Sequence, residues 1–151
     1  MIRGIYKDKK INISIYFPCQ FEVNILKIFD NKYFQKFNFL LPVIEKNKSM
    51  NFYKWKINEI LKLNEYGIPE PIKSSKIVPN IALVPLIAFD KKKNRLGYGK
   101  GFYDKYFEKH NKNNKKILTV GVAFSFQKYD NLPISKKDVR LNYVITEKGI
   151  I

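Results

Sequence analysis

A chain of 151 residues, 45% hydrophobic and 15% aromatic, is long enough to close one real core and is read as a single domain. Its formal charge is +16, yet the 29 basic residues include only three arginines, Arg3, Arg95 and Arg140, against 26 lysines. Base readout and phosphate forks favour arginine, so the charge reads first as compositional drift and only second as a nucleic-acid signal. The lone Cys19 excludes an internal disulfide and a cysteine metal cluster, and the lone His110 excludes multi-histidine metal sites. No stretch approaches the ~20 apolar residues of a membrane span, and residues 1–7 lack a signal-peptide core, so a cytoplasmic setting is expected. Cys19 is then expected as a small core residue, and His110, beside Lys109, on the solvated surface.

In chain order, Ile11, Ile13, Ile15 and Phe17 alternate with polar or amphipathic neighbours and predict a first strand that stops at Pro18. Across 22–34, Val23, Leu26, Phe29 and Phe34 fall near helical spacing and predict a helix, and 39–44 predicts a second strand, completing a crossover. Met50, Phe52, Trp55 and Ile57 fit a short antiparallel strand whose alternation breaks between Phe52 and Trp55. Gly67-Ile-Pro-Glu-Pro71 is expected as an ordered loop, because two prolines remove donors and fix the backbone. The run 81–89, Ile-Ala-Leu-Val-Pro-Leu-Ile-Ala-Phe, lacks alternation, as in a strand buried on both faces of a parallel sheet. A helix from about Gly101 to His110 follows, carried by Phe102, Tyr103, Tyr106 and Phe107, and ends in a 111–116 loop. Residues 117–124 predict another buried strand and 142–146 a last one. Strands alternating with helices at this spacing imply an α/β fold with a mainly parallel central sheet flanked by helices.

The chemistry concentrates in 95–104, Arg-Leu-Gly-Tyr-Gly-Lys-Gly-Phe-Tyr-Asp, between the most apolar run and a helix. The spacing of Gly97, Gly99 and Gly101 matches neither the dinucleotide fingerprint nor the P-loop. What it offers is bare backbone that can approach polyphosphate, Lys100 and Arg95 to balance charge, and Asp104 as a carboxylate able to hold Mg²⁺ against phosphate oxygens. The competing reading is a turn that needs positive φ, with Asp104 as a first-turn acid favoured by the helix dipole.

Together with Val84-Pro-Leu-Ile-Ala-Phe-Asp90, Gly121-Val-Ala-Phe124, Asp138-Val-Arg-Leu-Asn142 and Val144-Ile-Thr-Glu147, this segment resembles the 5-formyltetrahydrofolate cyclo-ligase family, also called 5,10-methenyltetrahydrofolate synthetases. The resemblance runs from about Lys10 to the C-terminus. It implies a sugar-phosphate isomerase/CoA-transferase-like fold and a reaction of one-carbon metabolism: ATP- and Mg²⁺-dependent conversion of 5-formyltetrahydrofolate to 5,10-methenyltetrahydrofolate, with release of ADP and phosphate. It assigns ATP binding to Arg95, Leu96, Gly97, Tyr98, Gly99, Lys100, Gly101, Phe102 and Tyr103, with Lys100 as the catalytic residue. It assigns folate binding to Glu22, Tyr66, Tyr98, Gly99, Lys100, Gly101 and Phe102, and metal binding to Asp104 and Asn142.

Two departures stand out. The family's basic N-terminal helical pattern is not reproduced by Lys7, Lys9 and Lys10, so the chain reads as one domain over 1–151 that is N-terminally truncated relative to the family. Asn142 stands where a second acidic metal ligand is expected, and an amide oxygen ligates a hard cation without the negative charge. A catalytically impaired member that holds folate or nucleotide is therefore the second reading, and a basic nucleic-acid-binding protein the third. The partner expected is 5-formyltetrahydrofolate, and the chain is expected to act as a monomer without membrane association.

Overall fold

The computed structural model describes residues 10–113 and 116–151. Lys7, Lys9 and part of the 111–116 loop lie outside them. Strands β1 (Asn12–Ser14), β2 (Asn38–Ile44) and β3 (Met50–Trp55) open the chain, followed by a small ribbon of β4 (Leu61–Leu63) and β5 (Pro69–Pro71). Next come β6 (Ile81–Val84), a hairpin of β7 (Ala88–Phe89) and β8 (Arg95–Leu96), the helix α1 (Phe102–Lys112), β9 (Leu118–Val122), β10 (Tyr143–Thr146) and β11 (Gly149–Ile150).

Seven strands form one sheet in the order β11-β10-β9-β6-β1-β2-β3. The four inner pairings, β10–β9, β9–β6, β6–β1 and β1–β2, are parallel, and only the two edge pairings are antiparallel. The mainly parallel α/β architecture expected from the sequence is thus present, with few helices. Both faces of the sheet are covered. Leu40, Phe52, Val84, Tyr106 and Phe107 form the core on the α1 side, and Ile13, Ile15, Phe39, Leu41, Trp55 and Val120 the core on the other. This double burial explains why β2, β6 and β9 read as continuous apolar runs. It also explains the broken alternation in β3: Phe52 packs edge-on against Tyr106 at 4.9 Å between ring centroids, while Trp55 meets Phe29 at 5.7 Å.

Several elements differ from expectation for local reasons. The helix expected over 22–34 is two 3₁₀ turns, Ile25–Asp30 and Lys32–Lys36, because Asn24 accepts from the Leu26 amide and Asn31 from the Tyr33 amide, restarting the chain twice. The strand expected over 81–89 ends at Val84, since Pro85 has no donor to continue a central ladder. Buried Gln127 then donates to the carbonyls of Leu86 and Ile87 and turns the chain into the β7–β8 hairpin. The Gly67–Pro71 loop holds the strand β5, tolerated because its only ladder partner is β4. Buried Glu70 fixes it by accepting from the Ile44 amide at 2.7 Å and Asn64 Nδ2 at 2.8 Å. Cys19 is half-buried rather than in the core. His110 is not fully solvated either: it stacks on Tyr106 at 4.1 Å, with Nδ1 2.9 Å from the Tyr106 carbonyl.

Candidate active site

β1 and β6 are parallel neighbours, so the segments that leave their carboxyl ends emerge on the same side of the sheet. From β1 comes the loop that carries Glu22; from β6, through the β7–β8 hairpin, comes the glycine turn. Crevices outside the carboxyl ends of parallel strands are where α/β sheets bind ligands.

The turn has unusual backbone. Gly99 and Gly101 have φ of +82° and +65°, a region costly for any residue with a Cβ. Gly101 caps α1 with no side chain, and among the described residues no side-chain cap takes the first-turn amides, which leaves donors that an anion can use. Lys100 is exposed at the apex, and its Nζ sits 5.4 Å from the centre of the Tyr66 ring. Tyr66 in turn lies 6.0 Å from the Phe102 ring, so the proline-loop aromatic and the glycine turn, distant in sequence, form one surface.

On the other side stands Glu22. Its Oε2 accepts from the Cys19 amide at 2.9 Å, and burial pushes its carboxyl above the usual glutamate range. Three phenols feel its charge: Tyr16, Tyr98 and Tyr103 are all raised, first by their own burial and then by Glu22. The Tyr16 hydroxyl donates to the Val23 carbonyl at 2.9 Å, whereas the Tyr103 hydroxyl is buried with no partner among the described residues. The Cys19 thiol is also raised, by burial and then by Glu22, which makes it a poor nucleophile.

Two of the expected ligands are placed differently from the sequence picture. Arg95, expected at the entrance of the turn, is folded inward with 6% of its side chain exposed, and its Nη2 donates to Asp104 Oδ2 at 2.9 Å. The other oxygen of Asp104 accepts from the Val139 amide at 3.1 Å. The side-chain oxygen of Asn142 accepts from both the Thr119 amide, at 2.8 Å, and the Thr119 hydroxyl, at 3.0 Å. Both of its lone pairs are spent on tying β9 to the segment before β10, so as folded this oxygen is not a free metal ligand. Leu96 contributes backbone, its carbonyl accepting from the Ile87 amide at 2.8 Å.

Sequence reasoning did not single out Tyr16 or Val139. Tyr16 follows β1 directly and precedes Phe17-Pro18, a position whose only signal is that a strand-ending aromatic reaches the carboxyl edge of a sheet. Two clefts, of about 450 and 340 Å³, border the β7–β8 hairpin and residues 126–134, and neither is lined by Glu22, Lys100 or Asp104.

A 35% identical relative in Haemophilus influenzae, a 5-formyltetrahydrofolate cyclo-ligase, aligns over 86% of this chain and 72% of its own length. A probable 5-formyltetrahydrofolate cyclo-ligase of Schizosaccharomyces pombe is 29% identical over 93% of this chain and 76% of its own. Among solved structures, a 5,10-methenyltetrahydrofolate synthetase from Aquifex aeolicus superposes with a TM-score of 0.74 at 30% identity, over 99% of this chain and 75% of that one. A carboxyl-edge site built on a glycine turn, the superposed fold and a family model that matches residues 4–147 converge: the chain belongs to the 5-formyltetrahydrofolate cyclo-ligase family.

Proposed function

We propose that this chain, as a cytoplasmic monomer, converts 5-formyltetrahydrofolate to 5,10-methenyltetrahydrofolate with hydrolysis of ATP to ADP and phosphate. The observation that carries the reading is the glycine turn flanked by two unlike groups, Lys100 against Tyr66 and Phe102 on one side and on the other Glu22, which has no ion-pair partner among the described residues. The first is suited to phosphate beside a flat ring, the second to the donor pair of an amino-pyrimidine edge.

Chemically, the formyl oxygen attacks the terminal phosphorus of ATP, an O–P bond forms and ADP leaves. The neighbouring folate nitrogen then closes on the activated carbon, and the C–O bond breaks with the phosphate. Phosphoryl transfer of this kind asks for positioning and charge neutralisation rather than for a protein nucleophile. Lys100 brings an ammonium to the transferring phosphate, and the amides of 99–103 receive phosphate oxygens. Tyr66 and Phe102 pack on the pterin, while Tyr98 borders it. The buried, unpaired Tyr103 hydroxyl is a donor available to the bound ligands.

Mg²⁺ fits Asp104 chemically, since the ion is usually held by one or two carboxylates plus substrate phosphates, and here a guanidinium already stands in for a cation on that carboxylate. When bound it supplies further neutralisation of phosphate charge. The Val139 amide, on the other oxygen, would hold the carboxylate in place for it. The test is direct: protein with ATP, Mg²⁺ and 5-formyltetrahydrofolate is expected to generate the methenyl chromophore, and a folded sample without an ATP-dependent signal refutes the reading. One observation favours the second reading, an impaired binder: Asn142 has its oxygen committed to Thr119. Tight calorimetric binding of folate or nucleotide with no turnover would select it.

A further inference from the structure

Arg95 is buried against Asp104 and the Tyr103 ring, its Cζ 5.4 Å from the centre of that ring, and one of its donors is still unmet. Its Nη2 holds Asp104, yet its Nε is enclosed with no acceptor among the described residues. A guanidinium sealed only to stabilise the fold would have its donors met, because an unmet buried donor is costly. The turn nevertheless makes room for this pose. A Cβ at Gly97 would stand 2.8 Å from Arg95 Nη1, and apart from that guanidinium it would meet nothing within 4 Å. Unlike Gly99 and Gly101, Gly97 does not have a positive φ, so what a side chain there would disturb is the far end of the arginine rather than the backbone. With the Val139 amide on the other oxygen, Asp104 is occupied on both sides.

We propose that Arg95 is a positioning residue that fills the cation place on Asp104 in the empty enzyme and leaves it for the nucleotide phosphates, so that metal enters only with nucleotide. This rests on the ATP reading above. In the structure Asp104 is balanced by Arg95. In the loaded state the phosphates take Arg95, including the unmet Nε, and the carboxylate is free for the ion. A metal arriving alone would have to sit beside a guanidinium with nowhere to go, two like charges in a half-buried site. Metal and nucleotide therefore assist each other's binding, and Arg95 is the element through which they do so.

The experiment titrates Mn²⁺ into nucleotide-free protein and follows free ion by electron paramagnetic resonance. Wild-type protein is expected to show no saturable site, whereas Arg95→Gln, and Gly97→Ala, whose methyl crowds Arg95 Nη1 while keeping every charged group, are expected to bind Mn²⁺ roughly tenfold or more tighter. Adding Asp104→Asn to Gly97→Ala should abolish the gained site. Circular dichroism checks folding, and Gly97→Ala carries the test if Arg95→Gln does not fold. Wild-type binding as tight as in the variants, or no gain in a folded Gly97→Ala, overturns the proposal. Because the titration uses neither folate nor turnover, its failure is separable from failure of the cyclo-ligase assay.

Discussion

Two carboxylates border the glycine turn, and the fold treats them in opposite ways. Asp104, in the first turn of α1, is held by a buried guanidinium and a backbone amide and has no freedom left. Glu22, after β1, accepts one amide bond and has no lysine or arginine within ion-pair distance among the described residues, in a chain of net charge +16. It is surrounded by phenols instead, and burial raises it. A carboxylate that already carries a cation is suited to exchange it for another. A carboxylate kept away from cations is suited to a neutral partner with paired donors, which a lysine nearby would compete with.

The contrast breaks most visibly in Asp104→Ala. Removing one partner of a buried ion pair strands the other, so stability is expected to fall by about 3 kcal/mol or more, read as a lower urea midpoint. Glu22→Gln strands no charge and keeps an oxygen for the Cys19 amide, so its midpoint should hold or rise. Lys100→Ala separates site from scaffold: turnover is expected to drop by about 100-fold or more, while an exposed apex residue leaves stability within about 0.5 kcal/mol. Unchanged kinetics in folded Lys100→Ala would remove the residue from the reaction.

Glu22→Gln sharpens the other half. If the carboxylate accepts the folate's donor pair, the loss of charge-assisted bonds should raise the folate KM by about tenfold or more, with a smaller change in kcat. The pH dependence has a definite sign. The folded carboxyl titrates above its unfolded value, so charging it opposes folding. Its contribution to stability is intact below the unfolded pKa and is lost as pH rises through the raised folded pKa. Folate affinity runs the other way, weakening as pH falls through that raised value, and Glu22→Gln should flatten both profiles.

Much of the scaffold was legible because double burial writes continuous apolar runs, and the turn because three glycines before an aromatic helix leave few structural options. What was illegible depended on chain direction. Asn24 and Asn31 look like surface polar residues within a helical pattern, and only their side-chain bonds to amides two residues on show that they break it. Arg95 and Asp104 were both legible as charged residues of a phosphate site. Their pairing, nine residues apart, follows from the path of the glycine turn, and the Val139 amide reaches Asp104 from 35 residues away. The meeting of Tyr66 with Lys100 and of Glu22 with Tyr98 likewise crosses elements whose adjacency no local pattern encodes.

The smallest expected effect lies at Asn142. Its Oδ1 is committed to Thr119 by two hydrogen bonds, and a carboxylate oxygen can accept both, so Asn142→Asp should fold as well as wild type. What changes is the second position of the side chain, where an exposed NH₂ becomes an exposed oxygen with negative charge. Val139 and Asn142 lie on the same short segment before β10, and the Val139 amide donates to Asp104, so the added charge is carried on the segment that binds the proposed metal ligand. Hard cations gain from each added carboxylate, and the Mg²⁺ concentration that gives half-maximal turnover should fall by a few-fold, with the folate KM unmoved. If the Mg²⁺ requirement does not change, residue 142 serves only to join β9 to β10, and the metal is held from the Asp104 side alone.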